Sequence, residues 1–298
     1  MSNATIPSAL YKYLPPSRAA QIQGNLRIRF SQVSVLNDVD EFQPPYKGVA
    51  PRAEIERTVR ERFPKQYPRE YAAVLQNLGL VEAELWIEKM VPLWADTVEA
   101  NYEKSIGEVY ARLDSNFGVL SLSETVTSKL MWSFYSDGGR GIVVEFDAKH
   151  PWFNCKNGEN DSYRHLRQVQ YVADREPMYL ASKDDAATRE DDVLYTKTIE
   201  WGFEKEWRII RGFKEAKEKI GTDQCGKDIF LFEIPPSAIK SVIFGYRADP
   251  QLEGDLRKIV TTNANLKHMV FMRAVRNVFG NIEIVPAGAP GSRPSFGR

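Results

Sequence analysis

The sequence predicts an α+β fold: a single mixed or antiparallel sheet carrying a helical insertion. Three observations support this. Short segments that alternate apolar and polar residues, bounded by Gly, Pro, Asn or Asp, recur along most of the chain. Between about residues 52 and 113 the apolar spacing changes to three and four, the period of an amphipathic helix. No Gly-, Pro- or Ser-rich linker divides the chain, so residues 1–286 read as a single domain and 287–298 as a disordered tail.

Taken in order, Ala9–Leu14 is a first strand stopped by Pro15-Pro16, and Ser17 caps a short helix to about Gln23. Leu26–Ser31 alternates as a half-buried strand. Leu36–Phe42 is a polar turn whose Asn37, Asp38 and Asp40 can bond their own backbone. In the insertion, Leu78, Val81, Leu85, Trp86, Leu93, Trp94, Val98 and Val109 form an apolar stripe expected to pack against the sheet. Pro64, Pro68 and Pro92 should divide that insertion into several helices.

Phe117–Ser123 is a strand with Ser121 and Ser123 on one face. Thr127 or Ser128 caps a helix through Tyr135, and a Gly138–Gly141 turn follows. Ile142–Phe146, short and β-branched, reads as a central strand. His165–Val172 is a further strand, 183–192 a solvated loop, and Asp191–Trp201 a helix leading into a strand over Glu204–Arg211. Lys214–Lys219 is a charged hairpin or helical turn. Strands Ile229–Ile234 and Lys240–Gly245, a helix over Pro250–Thr261, and two strands around Val270 and Ile282 complete the domain.

Composition narrows the function. A chain of 298 residues, 43% hydrophobic and 27% charged, is an ordinary globular protein able to bury a sizeable core. Forty Lys and Arg balance forty Asp and Glu, so no net field draws it to nucleic acid or anionic lipid. With no long apolar run and no basic-plus-apolar leader, the expected setting is cytoplasmic, away from membranes. Cys155 and Cys225 lack disulfide-framework or zinc spacing, and His150, His165 and His268 are not paired, so no metal is expected.

The most conspicuous stretch is Tyr195–Arg211. In a regular strand Glu204, Glu206 and Arg208 share one face, with Lys205 and Trp207 on the other. Two carboxylates and a guanidinium cannot enter an apolar core unpaired. That face therefore lines a solvated cleft or a paired ionic network.

Several blocks stand in a recognisable order: Leu10-Tyr11-Lys12-Tyr13; Asn37-Asp38 with Glu41-Phe42; Met131-Trp132 with Tyr135 and Gly141; Phe146; Lys197; and Trp201 with Glu204, Glu206, Trp207 and Arg208. Over roughly residues 9–245 the chain resembles a bacterial and phage family known as domain of unknown function 2971. That family is similar in turn to abortive-infection proteins of the AbiGi type, which implies phage defence or a toxin system. The chain departs from the pattern at Val39, where the family commonly continues with Pro.

A weaker resemblance is to ADP-ribosyltransferases, which bind NAD in the cleft of a split sheet. Those enzymes carry a basic residue or His on the first strand, Ser-x-Ser or Tyr on a later one, and Glu, often in Glu-x-Glu, near the end. Lys12, Ser121-Leu122-Ser123 and Glu204-Lys205-Glu206 follow that order, with Lys12 where serine-type members carry Arg. The resemblance implies a split-sheet core with NAD as substrate. Lys12 would hold a phosphate, and Ser121 and Ser123 would orient the nicotinamide ribose. Trp132 or Tyr135 would stack on a ring, while Tyr13, Asn37 and Arg208 complete a nucleotide-type pocket. Glu206 would stabilise the oxocarbenium-like state, and Glu204 would position or deprotonate an acceptor, protein or nucleic acid, that the sequence does not name.

Three alternatives stay open. Glu204–Arg208 could be a structural edge strand with cross-strand ion pairs. A metal-dependent nuclease could draw on Asp38, Asp40, Glu41, Glu204, Glu206 and Lys197. A non-catalytic binding or sensor protein could use the 11% aromatic residues for recognition.

Overall fold

The computed structural model describes residues 5–19, 26–38, 40–43, 45–159, 161–182 and 193–288. The chain begins with β1 (Ala9–Leu14), β2 (Arg27–Phe30) and β3 (Tyr46–Gly48), then α1 (Arg52–Gln66), α2 (Pro68–Leu78), α3 (Leu80–Ala100) and α4 (Tyr102–Asn116). Next come β4 (Phe117–Ser123), α5 (Lys129–Tyr135), β5 (Ile142–Asp147), β6 (Arg167–Gln168), β7 (Gln170–Val172), β8 (Met178–Tyr179) and β9 (Thr196–Thr198). It finishes with β10 (Glu206–Gly212), β11 (Glu218–Thr222), β12 (Asp228–Glu233), β13 (Ile239–Phe244), α6 (Pro250–Thr262), β14 (Val270–Arg276) and β15 (Ile282–Pro286). Contacts divide the chain into two compact units: Met1–Asn37, Asp114–Ala173 and Tyr195–Arg298 form the first, Asp38–Leu113 and Asp174–Leu194 the second.

The fold class is the predicted α+β. The first unit is built on an eight-stranded sheet, β15-β14-β13-β5-β1-β4-β10-β6, antiparallel throughout except where β13 and β14 run parallel. Smaller sheets join it: antiparallel β11-β12-β2 and the parallel pair β7-β9. Period-two alternation gives the large sheet two apolar faces. One buries Leu10, Leu122, Val144, Trp207 and Ile209 against Phe30 and Phe232 of the small sheet and Leu256 of α6. The other buries Tyr13, Val143 and Ile243 beneath Met131 and Trp132 of α5. The helix starts obey local chemistry. Ser128 Oγ accepts the Met131 N–H at 3.3 Å at the head of α5, and Asp249 accepts Gln251 N–H at 2.7 Å ahead of Pro250 in α6.

The second unit is mainly helical. Phe63 stacks on Trp94 with ring centres 4.5 Å apart, and Trp86 meets Trp94 edge-on at 5.8 Å. Arg52 at the start of α1 reaches Glu56 (2.8 Å), Asp96 (2.7 Å) and Glu99 (2.9 Å). The buried stripe differs from the predicted one. On α3 it runs through Ala83, Ile87, Val91 and Ala95, an i, i+4 row partly of small residues, while Val81, Leu85 and Leu93 are exposed. Pro64 and Pro92 lie inside α1 and α3, and only Pro68 opens a helix. The breaks fall at Tyr67, at Gly79 with φ 78°, and at Asn101.

Two other expectations change. The helix expected over Asp191–Trp201 is, among its described residues, a helical turn at 193–195, then β9 and a 3-10 turn over Ile199–Glu204. The single strand expected over His165–Val172 is split into β6 and β7 at Val169, whose N–H bonds the Glu206 carbonyl at 2.9 Å. Residues 20–25, 183–192 and 289–298, where the end of the first helix, a loop and most of the tail were expected, lie outside the described residues.

The turn after α5 is knitted by glycines. Gly245 N–H bonds the Gly141 carbonyl and Arg247 N–H the Gly139 carbonyl, each at 2.9 Å. A Cβ on Gly245 would collide with that Gly139 carbonyl, whereas one on Gly254 in α6 meets nothing within 4 Å. Gly245→Ala is therefore expected to cost about 1–3 kcal/mol, by overpacking against rigid backbone. Gly254→Ala is expected to add about 0.5–1 kcal/mol. Denaturant midpoints of the two variants check both signs.

Candidate functional site

The candidate site is assembled on three adjacent strands of the first unit. In the β1-β4-β10 register Tyr11 lies opposite Ser123 and Ser123 opposite Glu206, while Ser121 lies opposite Arg208. Glu206, Arg208, Ser121 and Ser123 thus share one sheet face, as alternation requires. The strand begins at Glu206, two residues later than predicted. Glu204 closes the preceding 3-10 turn, and Lys205 adopts a left-handed conformation at φ 45°. Ser123 Oγ donates to the Glu204 carbonyl at 2.5 Å, and Glu124 N–H to the Lys205 carbonyl at 3.0 Å, which ties this turn to the end of β4. Flanked by β4 and β6, β10 is not an edge strand.

The side chains converge on Lys197, carried in by β9. Its ammonium is 2.8 Å from Glu204 Oε2 and 3.0 Å from Glu206 Oε2. Arg208 holds Glu206 from the other side, with Nε at 2.7 Å and Nη2 at 3.0 Å, a two-pronged pairing. Tyr135 Oη donates to Glu204 Oε1, and Asn37 bonds the same phenol. Tyr171, beside Lys197 in the β7-β9 pair, accepts the Glu206 N–H at 2.9 Å. The indole of Trp201 lies 5.2 Å from the Lys197 ammonium, with Phe203 next to it at 6.1 Å. Arg208 is wholly buried, and the side chains of Lys197, Glu204 and Glu206 are each 5% exposed.

Burial and neighbouring charges act strongly on Glu204, Lys197 and Tyr135. Burial, and then the Glu206 charge, raise the Glu204 pKa above its ordinary 4.5, and the Lys197 and Tyr135 bonds offset this only in part. Burial works against the Lys197 charge, but Glu206 and Glu204 outweigh it and hold its pKa above 10.5. Burial, followed by Glu204, keeps Tyr135 protonated well beyond its usual range. An ion network this buried contributes little net stability, because desolvation consumes most of its Coulombic gain.

The other predicted residues are placed differently. Trp132 is fully buried: its Nε1 donates to the Val126 carbonyl at 2.7 Å and its ring meets Tyr13 edge-on at 5.3 Å, so both faces are taken up in the core. Tyr13 is buried too, donating to the Thr125 carbonyl at 2.8 Å. Ser123 spends its hydroxyl on the Glu204 turn. Lys12 alternates onto the opposite face of β1 from Tyr11 and Tyr13, and its ammonium turns back to the Ser121 carbonyl at 2.9 Å. Tyr171 was not anticipated, because a three-residue strand gives no periodic signal. From sequence, Lys197 stands out only as one of the family-like blocks and as a nuclease candidate. Among the described residues no three His, Cys, Asp or Glu side chains stand together as a metal site. Nor is any helix there long and apolar enough to cross a membrane.

Removing one partner from a buried ion network exposes its cost. Lys197→Met is expected to destabilise the protein by about 3–5 kcal/mol, since two like charges are left facing each other. Adding Glu204→Gln should recover more than about 1 kcal/mol, a coupling that a double-mutant cycle reads directly. The pH dependence has a definite sign. Because the folded Glu204 pKa is raised, the native state binds the extra proton, and stability from this group falls as pH rises from 4.5 toward the folded value. Glu204→Gln should remove that slope in denaturation curves measured across pH.

No curated protein and no solved structure matches the chain. Residues 131–209, which include Tyr135, Tyr171, Lys197, Glu204, Glu206 and Arg208, match the model of a family described as a protein of unknown function, DUF2971.

Proposed function

We propose that the first unit carries an active site for transfer at the N-glycosidic bond of a nicotinamide nucleotide, in the manner of ADP-ribosyltransferases, with NAD as substrate. The observation that carries this reading is the pair of carboxyls that share Lys197 but sit in opposed environments. Glu206 is clamped by Arg208, while Glu204 bonds a phenol and has a raised pKa. Two neighbouring carboxyls with such different partners are suited to different roles, one held in place by cations and the other placed to handle a proton.

In the proposed reaction the C1′–N bond breaks and its electron pair passes to the nicotinamide ring, neutralising the pyridinium. Glu206 offsets the positive charge that develops on the ribose. The acceptor's nucleophile adds to C1′, and its proton goes to Glu204, whose raised pKa makes it a better base near neutral pH. Tyr135 and Trp201 supply aromatic surface next to the carboxyls. Motif order gives further support: Lys12, the paired serines and Glu206 come from β1, β4 and β10, which are neighbours in the sheet, and Glu204 from the turn that leads into β10. A setting in phage defence or a toxin system accompanies this reading through the family resemblance alone.

The test is release of nicotinamide from NAD by the purified protein, with and without cell lysate as a source of acceptor. Wild type should release it, and Glu206→Gln should lower the rate by about a hundredfold or more while keeping the native fold. Lack of release by wild type in both conditions, or equal release by Glu206→Gln, would overturn the proposal.

A further inference from the structure

Beside the carboxylate cluster the sheet opens into a fork. β1 is registered with β4 only at Tyr11 and Ser123. β2 meets the same edge of β4 through the bridge Ser31–Val119, with N–H to O distances of 2.9 and 2.8 Å. Ser121 lies between these two attachments. Arg29 stands two residues before that bridge on β2, on the side that alternates away from the core residues Ile28 and Phe30. Lys12 closes the fork from the β1 side through its bond to the Ser121 carbonyl. Arg18 enters from the helical turn just after β1, whose Ala19 packs into the core.

Three cations therefore gather where few partners wait. Among the described residues, Ser121 O is the one hydrogen-bond acceptor of the Lys12 ammonium, which has three donors to place. The Arg18 side chain is exposed and makes no hydrogen bond or ion pair among the described residues. Arg29 is 10% exposed. It gives Nη2 to Asp223 Oδ2 at 2.5 Å and to Gln32 Oε1 at 3.3 Å, but its buried Nε has no partner. Asp223 is itself shared with the backbone N–H groups of Cys225 and Lys227, and Glu204 and Glu206 are engaged by Lys197 and Arg208. Burial and then the Arg18 charge, with a smaller push from Arg29, bring the Lys12 pKa down to about 8, against the attraction of both glutamates. Unmatched donors converging from three elements are what an anion with several acceptor oxygens satisfies.

We propose that this fork binds a phosphate-bearing anion of the diphosphate class, held by Lys12, Arg18 and Arg29. The assignment deepens the nucleotide reading above by giving the substrate's phosphates a place, and it rests on that reading only for the identity of the natural ligand. Its test needs no turnover. Inorganic pyrophosphate is titrated calorimetrically into the full chain, into Arg18→Ala, and into Lys258→Ala, an exposed position on α6. Wild type and Lys258→Ala should bind alike, and Arg18→Ala at least about tenfold more weakly, as expected for one lost charge-assisted contact. Arg29→Gln should weaken binding as well, with its fold checked by circular dichroism.

Absence of pyrophosphate binding by wild type, or equal binding by Arg18→Ala, would overturn the site. Nicotinamide release without pyrophosphate binding would sink the fork and leave the glycosidic reading standing. Arginine-dependent pyrophosphate binding without release would do the reverse.

Discussion

The Lys197 ammonium, 2.8 Å from one oxygen of Glu204 and 3.0 Å from one of Glu206, is the contact on which the charged cluster depends. Without a cation between them the two carboxyls would repel in a poorly solvated space, and one would have to stay neutral. With it, Glu206 is held by two cations and Glu204 by one cation and a phenol. The inequality of those surroundings, rather than their total charge, is what the proposed chemistry rests on. So costly a desolvation makes the network a weak stabiliser, which is the physical argument behind the proposal that it serves a site.

The fold brings these groups together through one strand. β4 offers its whole length to β10 on one edge and divides the other between β1 and β2. Its Ser123 anchors the Glu204 turn, and its Ser121 carbonyl receives Lys12. Beneath it Leu120 and Leu122 sit in the apolar core with Trp207 and Ile209, so the polar face rests on a rigid floor. Helix α5, capped by Ser128, delivers Tyr135 from above while Met131 and Trp132 secure it.

Where a segment's own chemistry decided its state, the sequence was readable. Phe117–Ser123 alternates and is β4 to the residue; the β-branched Ile142–Val144 lie at the centre of the sheet; Asp249-Pro250 opens α6. Readability failed where tertiary partners decide. Polarity and length suggested a helix before Glu204, yet Lys197 is drawn into a strand by Tyr171 and the two carboxylates. On α3 the large apolar residues implied the buried stripe, but close packing selected the row containing Ala83 and Ala95. For the site, residue type and order located Glu204, Glu206, Arg208 and Tyr135 together. They could not show that Trp132 and Tyr13 are core residues or that Lys12 starts from the other face and turns back to the Ser121 carbonyl, since a strand's facing depends on its neighbours.

Lys205 gives the Glu-Lys-Glu segment a meaning that its letters conceal. In a regular strand the middle residue would be free to be β-branched, and the two glutamates would move as one rigid comb. With φ at 45°, the middle position instead suits residues that accept a left-handed backbone, such as Gly, Asn or Asp, and disfavours Val, Ile and Thr. The glutamates are also mechanically distinct, one borne on a short 3-10 turn and the other on an interior strand paired on both sides. Rotation about the single joint at Lys205 would displace Glu204 relative to Lys197 while leaving the pairing of β10 intact. In a comparison of relatives, variation at this position would therefore report on the backbone joint rather than on any contact made by the lysine side chain.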